Sequence, residues 1–263
     1  MGEVYAASHR WELHHGDALD TMVAIEDQTV SAMVLDPPYC AGAVSEANRT
    51  AAAGQGLRSG TLTRFGWFTG DNMGTAGLAF LLRSIAFEGL RVTKPSGSFL
   101  CCCDWRMLPT LAPAIESAGW RYQNLVVWDK GSMGLGAGFR AQHELILHFT
   151  AGAPVYHDKG TGNVIRCPRV GAEEREHQTE KPLDLMGSLI RVVAEPGGLV
   201  LDPFAGSGST GVAAILEGRR FAGIERDPGH LETAARRLRD AEAGVPERDP
   251  CGGVQPGLFG GAA

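Results

Sequence analysis

The stretch VLDPFAGSGST, residues 200–210, decides how this chain folds. A short apolar run ends in an acid, and a glycine-rich turn then leads into the helical run VAAILEG. A buried strand that passes through glycines into a helix is the opening unit of a doubly wound sheet, where glycine lets the backbone approach a ligand closely. We therefore expect a ligand-binding loop over residues 202–211, at the carboxyl end of a strand.

Outward from this loop, apolar runs alternate with helical patterns. Continuous rather than alternating apolarity predicts strands that are covered on both faces of a sheet. The runs are WELH (11–14), AMVL (32–35), SFLCCC (98–103), NLVVW (124–128), ELILHF (144–149), GLVLD (198–202) and RFAGIE (220–225). Helical spacing of apolar residues follows in three segments, at 78–85, 182–193 and 231–238. The alternation predicts an α/β fold with a doubly wound, mostly parallel sheet.

Three segments depart from this pattern. Residues 40–75 are rich in Gly, Ala, Ser and Thr, and residues 151–177 have little periodicity. The end of the chain, 241–263, is rich in Gly and Pro, and we expect it to be a disordered tail. The sequence therefore predicts a single domain over residues 1–240, interrupted by a mobile insertion at 40–75.

The composition excludes several classes of protein. The chain of 263 residues carries a net charge of −6, so a surface that binds nucleic acid must be basic locally rather than globally. Its 6 cysteines show no paired CxxC spacing, so we expect no zinc site and no disulfide framework. No apolar run approaches the roughly 18 residues that span a membrane, and the first residues lack a signal-peptide core. We expect a cytoplasmic protein without a membrane partner.

The glycine loop and the next strand together indicate an adenosine-containing cofactor. RFAGIE ends in Glu225, about 20 residues after the loop, which is where ribose hydroxyls are held in doubly wound folds. Gly206, Gly208 and Gly211 satisfy the G-x-G-x-x-G spacing, which leaves NAD or FAD open. Asp202 at the strand tip would repel a pyrophosphate but attract the α-ammonium of S-adenosylmethionine. The residues therefore favour the methyl donor.

A second strand, at 32–35, ends in the turn DPPY, residues 36–39. Two adjacent prolines cannot donate to a sheet ladder, so this turn must lie at the strand's end. DPPY, followed by HQTEKP (177–182) and DPFAGSGST (202–210), resembles the DNA amino-methyltransferases, which methylate N6 of adenine or N4 of cytosine. The order, with DPPY early and the cofactor loop late, is similar to the permuted group called beta. Further similar segments extend the resemblance over most of residues 11–240; they are WELHHGDALD (11–20), 126–149 and 223–238.

The resemblance implies that the DPPY turn holds the target base. Asp36 and the carbonyl of Pro37 would accept the two amino hydrogens, Pro38 would stiffen the turn, and Tyr39 would stack on the flipped base. Asp36 would stabilise the positive charge that develops on the nitrogen. DPPY is the commoner form in adenine enzymes, so we expect N6-adenine methylation of DNA. The alternatives are N4-cytosine, RNA or a protein amide as substrate, and a binding module that has lost catalysis.

The resemblance also implies the site of the S-adenosylmethionine cofactor. Asp17 would accept from the adenine amine, Glu225 would take the ribose hydroxyls, and Lys181 would lie near the methionine carboxylate. The implied residues are Asp17, Ala18, Thr179, Lys181, Asp202, Phe204, Ala205, Gly206, Ser207, Gly208, Thr210, Glu225 and Arg226. If the permutation holds, Asp36 and Asp202 are neighbours at the carboxyl edge of the sheet, where doubly wound folds open a ligand crevice.

Double-stranded DNA is the expected partner. The segment 151–177 lies where this family often carries its target-recognition region, and the insertion at 40–75 is a candidate DNA clamp. Candidate phosphate or base contacts are Arg49, Arg58, Arg64, Lys130, Arg140, Arg166, Arg169 and Arg175, although a solvated loop explains the arginines of 151–177 nearly as well. QPGLF, Gln255 to Phe259, is similar to sliding-clamp-binding peptides, and a chance match is the alternative. Association with the nucleoid and a homodimer are further hypotheses.

Overall fold

The computed structural model describes residues 2–38, 75–134, 137–169 and 181–245. These residues form one nine-stranded sheet with helices on both faces. The strands are β1 (Glu3–Ala7), β2 (Trp11–His15), β3 (Val30–Leu35), β4 (Thr93–Cys103), β5 (Arg121–Asp129), β6 (His143–Thr150), β7 (Val164–Arg166), β8 (Leu199–Asp202) and β9 (Arg220–Glu225). The helices are α1 (Ala18–Met22), α2 (Thr75–Val92), α3 (Leu108–Glu116), α4 (Leu183–Val193), α5 (Ser209–Leu216) and α6 (Pro228–Glu242), and a 3-10 turn covers Trp105–Met107.

The order of the strands confirms a permuted, doubly wound sheet. It is β1-β2-β9-β8-β3-β4-β6-β5-β7. Strands β1 and β6 run antiparallel to their neighbours, and every other pairing is parallel. Strand β2 pairs with β9, and β3 pairs with β8, so strands from the last third of the chain complete a sheet that the first residues begin.

Helices cover both faces because the central strands are apolar on both. Every residue of β3 is buried. Since successive side chains of a strand point to opposite faces, Ala32 and Val34 pack in the core under α4, α5 and α6, whereas Met33 and Leu35 pack under α1, α2 and α3. This two-sided core explains the continuous apolar runs in the sequence.

All seven strands that the sequence predicts are present, and β9 has the predicted bounds. Strands β1 and β7 are not predicted; both are short edge strands of the sheet and mostly exposed. Strand β7 lies within 151–177, the segment that lacks periodicity. Helix α6 ends at Glu242, so helical order extends two residues into the segment 241–263 that was expected to be disordered.

Several sequence predictions fall outside the described residues. They concern Tyr39, Thr179, Arg175, the insertion with Arg49, Arg58 and Arg64, and the QPGLF segment. Within the described part of the chain, no group of three or more His, Cys, Asp or Glu side chains could hold a metal ion. Over the same residues, no helix combines the length and the apolarity that crossing a bilayer requires.

The position of the site follows from the strand connections. Strand β8 leads through α5 to β9 on one side of the sheet, whereas β3 leads to β4 on the other. The chain therefore leaves the adjacent strands β8 and β3 in opposite directions, and at such a switch point the carboxyl ends of the strands border a crevice. Asp202 and Asp36 stand at these two ends.

Candidate functional site

Asp36 and Asp202 are brought together at the carboxyl edge of the sheet. Strands β3 and β8 are parallel neighbours in which Met33 lies opposite Leu201. Asp202 is the last residue of β8, and Asp36 directly follows β3. The charge of Asp36 is one of the causes that raise the pKa of Asp202, so the two carboxyl groups interact. The structure thereby confirms that two acid-tipped strands far apart in the sequence meet at one place.

The carboxyl group of Asp202 is buried and shapes the turn that follows it. The residue as a whole is 1% exposed. Oδ1 accepts from the amide of Phe204 at 2.9 Å, and Oδ2 accepts from the hydroxyl of Thr210 at 2.7 Å. Burial is the largest effect and outweighs both hydrogen bonds, so the pKa of Asp202 is raised from 3.8 to about 7.

The glycine loop needs its glycines for conformation and for space. Gly206 and Gly208 have φ of 51° and 87°, in the left-handed region that favours glycine. A Cβ on Gly208 would lie 3.0 Å from the Cβ of Ala234 in α6. Behind the loop, the guanidinium of Arg237 donates to the carbonyl of Ser207 at 2.9 Å. Arg237 was not among the predicted site residues, because nothing in the sequence distinguishes it from a solvent-exposed basic residue on a helix. In the structure it is only 3% exposed.

Glu225 ties the glycine loop to the end of β9. Its Oε2 accepts from the amide of Gly206 at 2.9 Å, and its Oε1 accepts from the amides of Arg226 and Asp227 at 2.8 Å and 2.9 Å. The side chain of Arg226 is exposed. A carboxylate oxygen can accept more than one hydrogen bond, so Glu225 retains capacity for a ligand hydroxyl.

Asp17 follows the neighbouring strand β2 and stands beside Glu225. His15 of β2 lies opposite Glu225 of β9 in the parallel pairing. The carboxylate of Asp17 caps α1 by accepting from the amide of Leu19 at 2.9 Å, and Ala18 is buried below it. Together with the loop, these acids form a continuous row along the carboxyl ends of β2, β9, β8 and β3.

Lys181 contacts Asp36 directly. Its side chain is 5% exposed, and its ammonium group lies 2.6 Å from Oδ2 of Asp36. On its other side, Oε2 of Glu144 in β6 is 3.4 Å away, and Oε1 of Glu144 is 2.5 Å from the ammonium of Lys130. We call these four residues, Asp36, Lys181, Glu144 and Lys130, the ion-pair chain.

The charges within the ion-pair chain stabilise one another. Burial opposes the charge on Lys181, but the carboxylates of Asp36 and Glu144 prevail and raise its pKa above the ordinary value. Burial likewise disfavours the charge on Glu144, but Lys181 and Lys130 hold its pKa below the usual range. The buried ring of Trp128 lies beside both cations, with its centroid 4.9 Å from the ammonium of Lys130 and 5.9 Å from that of Lys181.

One oxygen of Asp36 remains available as an acceptor. Oδ2 is taken by Lys181, whereas Oδ1 is buried and accepts no hydrogen bond from the described residues. Buried carboxylate oxygens without a donor are costly, so such an oxygen calls for a partner such as a ligand, a water molecule or an ion. The arrangement therefore presents an anionic acceptor to a ligand that donates hydrogen bonds, directly beside the Asp202 loop.

The candidate DNA contacts separate into two groups. Arg140, Arg166 and Arg169 are exposed. Strand β7 ends at Arg166 and runs parallel to β5, so Arg166 lies at the same edge as Asp36, as does the loop from β5 to β6 that carries Arg140. Lys130 does not join them, because its side chain is 14% exposed and is paired with Glu144. That inward pairing counts against a phosphate contact by Lys130.

Comparison with known proteins places these features in a family. A family model described as DNA methylase, of the N6/N4 type, matches residues 30–236. "Putative methylase YubD" from Escherichia coli K12 is 30% identical over 210 residues, which cover 80% of this chain and 82% of that protein. DNA adenine methyltransferase YhdJ from the same organism is 44% identical over 88 residues, covering 32% of this chain and 30% of YhdJ.

Solved structures show the same fold. The PvuII DNA methyltransferase, described as cytosine-N4-specific, has a TM-score of 0.69 at 16% identity. The match covers 94% of this chain and 95% of the PvuII chain. The complex of M1.HpyAVI with S-adenosylmethionine has a TM-score of 0.62 at 21% identity. The match covers 87% of this chain and 98% of the M1.HpyAVI chain. Because the family model matches most of this chain, the chain belongs to the N6/N4 DNA methylase family.

Proposed function

We propose that this protein transfers a methyl group from S-adenosylmethionine to the exocyclic N6 of adenine in double-stranded DNA. The observation that carries the proposal is the buried Oδ1 of Asp36, which accepts no hydrogen bond from the described residues and lies beside the Asp202 loop. The DPPY turn and the local similarity to the adenine enzyme YhdJ favour adenine. N4-cytosine is the second candidate, because the PvuII structure that shares the fold is described as a cytosine enzyme.

The residues at the carboxyl edge fit the proposed methyl donor. When bound, S-adenosylmethionine supplies a methyl carbon that is made electrophilic by the sulfonium. Asp202 offers a buried carboxyl group to a cationic ammonium, and the Gly206–Gly208 backbone leaves room for close approach. Glu225 and Asp17 are the acceptors for ribose hydroxyls and for the adenine amine.

The residues of this chain prepare the amine of the target base. Its lone pair is delocalised into the ring, so it is a poor nucleophile until its hydrogens are held by acceptors. Asp36 Oδ1 would accept one N–H and the Pro37 carbonyl the other. When the amine takes the methyl group that S-adenosylmethionine would supply, with the electron pair of the broken carbon–sulfur bond left on sulfur, positive charge would develop on the nitrogen, beside the Asp36 carboxylate. The excess proton then leaves to Oδ1.

Transfer of a tritiated methyl group to DNA, RNA and protein tests this proposal. We expect label in double-stranded DNA, with N6-methyladenine in the hydrolysed product. Label in N4-methylcytosine would select the second candidate. Label confined to RNA or protein, or none at all, would contradict DNA as the substrate. Sequencing modified bases in cells that express the protein would give the base and its sequence context together.

We expect the affinity for S-adenosylmethionine to depend on pH through Asp202. Its pKa, raised to about 7, keeps the carboxyl group protonated below neutrality in the free protein, whereas a cationic ligand favours the ionised form. Affinity should therefore rise about tenfold from about pH 6 to about pH 7.5, with release of a proton on binding. Calorimetry in buffers of different ionisation enthalpy measures both the affinity and the number of protons released on binding. Asp202→Asn should bind more weakly and without this dependence, and an equally steep profile in that variant would exclude Asp202 as the cause.

The same shift has the opposite sign for the stability of the free protein. Because the folded-state pKa of about 7 exceeds the ordinary 3.8, the folded protein binds a proton that the unfolded chain releases. The contribution of Asp202 to stability is therefore fully present below about pH 4 and is lost as the pH rises through about 7.

We expect the exposed arginines at the catalytic edge to contribute to DNA binding through phosphates. Arg140→Ala and Arg166→Ala should each weaken binding about equally for all DNA sequences and reduce the slope of log K against log salt by about one. Fluorescence anisotropy at several salt concentrations provides the slope. Arg220→Ala is the matched control, because Arg220 is an exposed arginine at the amino end of β9, on the opposite edge. Equal slopes in the unmodified protein and in all three variants would exclude phosphate contacts by Arg140 and Arg166.

A further inference from the structure

The ion-pair chain places a buried cation directly behind the proposed catalytic carboxylate. Lys181 reaches Asp36 from the segment just before α4, and Glu144 reaches Lys181 from β6. Burying several charges generally gives less stability than apolar residues of the same size would. A need for stability alone therefore does not explain why this chain keeps two lysines and two carboxylates at that position.

The contacts of Lys181 differ from those that family resemblance implies. Resemblance puts this lysine near the methionine carboxylate of the cofactor. In the structure its ammonium lies 2.6 Å from Asp36 Oδ2 and 3.4 Å from Glu144 Oε2, and its side chain is 5% exposed. A lysine held between two carboxylates of its own chain has its charge already balanced, which leaves less of it for a third anion.

We propose that Lys181 is a positioning residue for methyl transfer, which holds one oxygen of Asp36 so that the other can accept from the target amine, and that Glu144 holds Lys181 in place. This inference rests on the proposed function. It deepens that function by assigning the orientation of Asp36 to a residue that would act through Asp36 rather than on the substrate itself.

A second acid lies beside the pair formed by Asp36 and Lys181. Asp36 and Asp202 stand at adjacent strand ends, and the charge of Asp36 is one of the causes that raise the pKa of Asp202. Lys181 pairs with Asp36, whereas Asp202 is bonded to the hydroxyl of Thr210 and an amide. The ammonium of Lys181 therefore lies against Asp36, the carboxylate whose other oxygen is the proposed acceptor. The buried wall formed by Trp128 strengthens this pairing by excluding water.

Replacing Lys181 by methionine tests the proposal, because methionine keeps the length of the side chain and removes the charge. We expect single-turnover methyl transfer at saturating cofactor to fall about 30-fold, the loss typical of one charge-assisted hydrogen bond. The Kd for S-adenosylmethionine, measured by calorimetry, should stay within about twofold of wild type. Lys181→Arg should recover part of the rate, since it restores the cation with a different shape.

Two further variants control for folding and for charge. Lys181→Met combined with Glu144→Gln removes one charge of each sign, so it does not leave two buried carboxylates without the lysine between them. The turnover of this double variant should be as low as that of Lys181→Met alone. Lys94→Met is the matched control, because Lys94 pairs with Glu195 at 2.7 Å at the amino end of β4, away from the site. It should transfer methyl groups at the wild-type rate.

The outcomes distinguish this inference from the proposed function. A Lys181→Met protein with wild-type turnover but weakened S-adenosylmethionine binding would assign Lys181 to the cofactor and overturn the inference alone. Wild-type turnover in the doubly substituted protein would also overturn the inference without affecting the proposed function. Absence of methyl transfer to DNA by the unmodified protein would overturn the proposed function, and with it the role of Lys181.

Discussion

Asp36→Ala is expected to lower methyl transfer to DNA by about 10³-fold or more, because it removes an anionic acceptor aimed at developing charge in a water-poor site. Binding of S-adenosylmethionine should change by less than about threefold, since the cofactor residues lie on β8, β9 and β2 rather than on β3. The side chain of Asp36 is only 18% exposed, so its interaction with the amine is little screened.

Single-turnover rates with tritiated donor, together with calorimetric binding of the cofactor, measure the two quantities separately. Folding should survive, because Lys181 keeps Glu144 as a partner when Asp36 is removed. Asp36→Asn tests charge at constant shape and should be nearly as slow. Asp20→Ala, an exposed acid on α1, is the matched control with unchanged rate. Loss of cofactor binding by a folded Asp36→Ala protein would contradict the role given to Asp36.

Glu225→Ala is expected to weaken S-adenosylmethionine binding about 10²-fold, which corresponds to the loss of roughly two charge-assisted hydrogen bonds. The effect has two sources. The variant loses the acceptor for the ribose hydroxyls, and it loses the carboxylate that holds the amide of Gly206 and thereby the shape of the glycine loop. Once the cofactor is saturating, the rate of transfer should be reduced far less than its affinity.

Comparison with Glu225→Gln separates these two sources. Glutamine keeps one acceptor oxygen for the amide of Gly206 but lacks the charge, so we expect an intermediate affinity. Glu232→Ala, at an exposed position on α6, should bind the cofactor like the unmodified protein. If Glu225→Ala bound S-adenosylmethionine normally, the acids at the carboxyl ends of β2, β9 and β8 could not be the cofactor site.

The arginine of α6 illustrates a limit of prediction from local pattern. Arg237 falls on a helix with an apolar face, and its neighbours Arg236 and Arg239 are exposed, so a solvated charge is the ordinary expectation. In the structure Arg237 is buried and donates to Ser207 and Ser209 of the glycine loop. The difference arises because the loop supplies carbonyl and hydroxyl acceptors that the helix sequence does not contain.

The sequence by itself determined seven of the nine described strands and the two acid-tipped turns, whereas the permuted order was an expectation from the family resemblance. The strands and turns are local features, because continuous apolar runs need cover on both faces, proline cannot donate to a ladder, and glycine alone takes left-handed φ without strain. Strand β9 and the loop from Asp202 to Gly208 accordingly lie where the pattern puts them. The meeting of Asp36 with Asp202 was an expectation from the resemblance, because the permuted order makes their two parallel strands neighbours.

Only the tertiary structure decided which charges become partners. Lys181 and Asp36 are 145 positions apart, and nothing near either residue indicates that they pair. Lys130, an expected DNA contact, turns inward because β6 brings Glu144 beside it. Coulomb energy depends on distance and on exclusion of water, and both are set by how β6 packs between β4 and β5 and by where the chain enters α4.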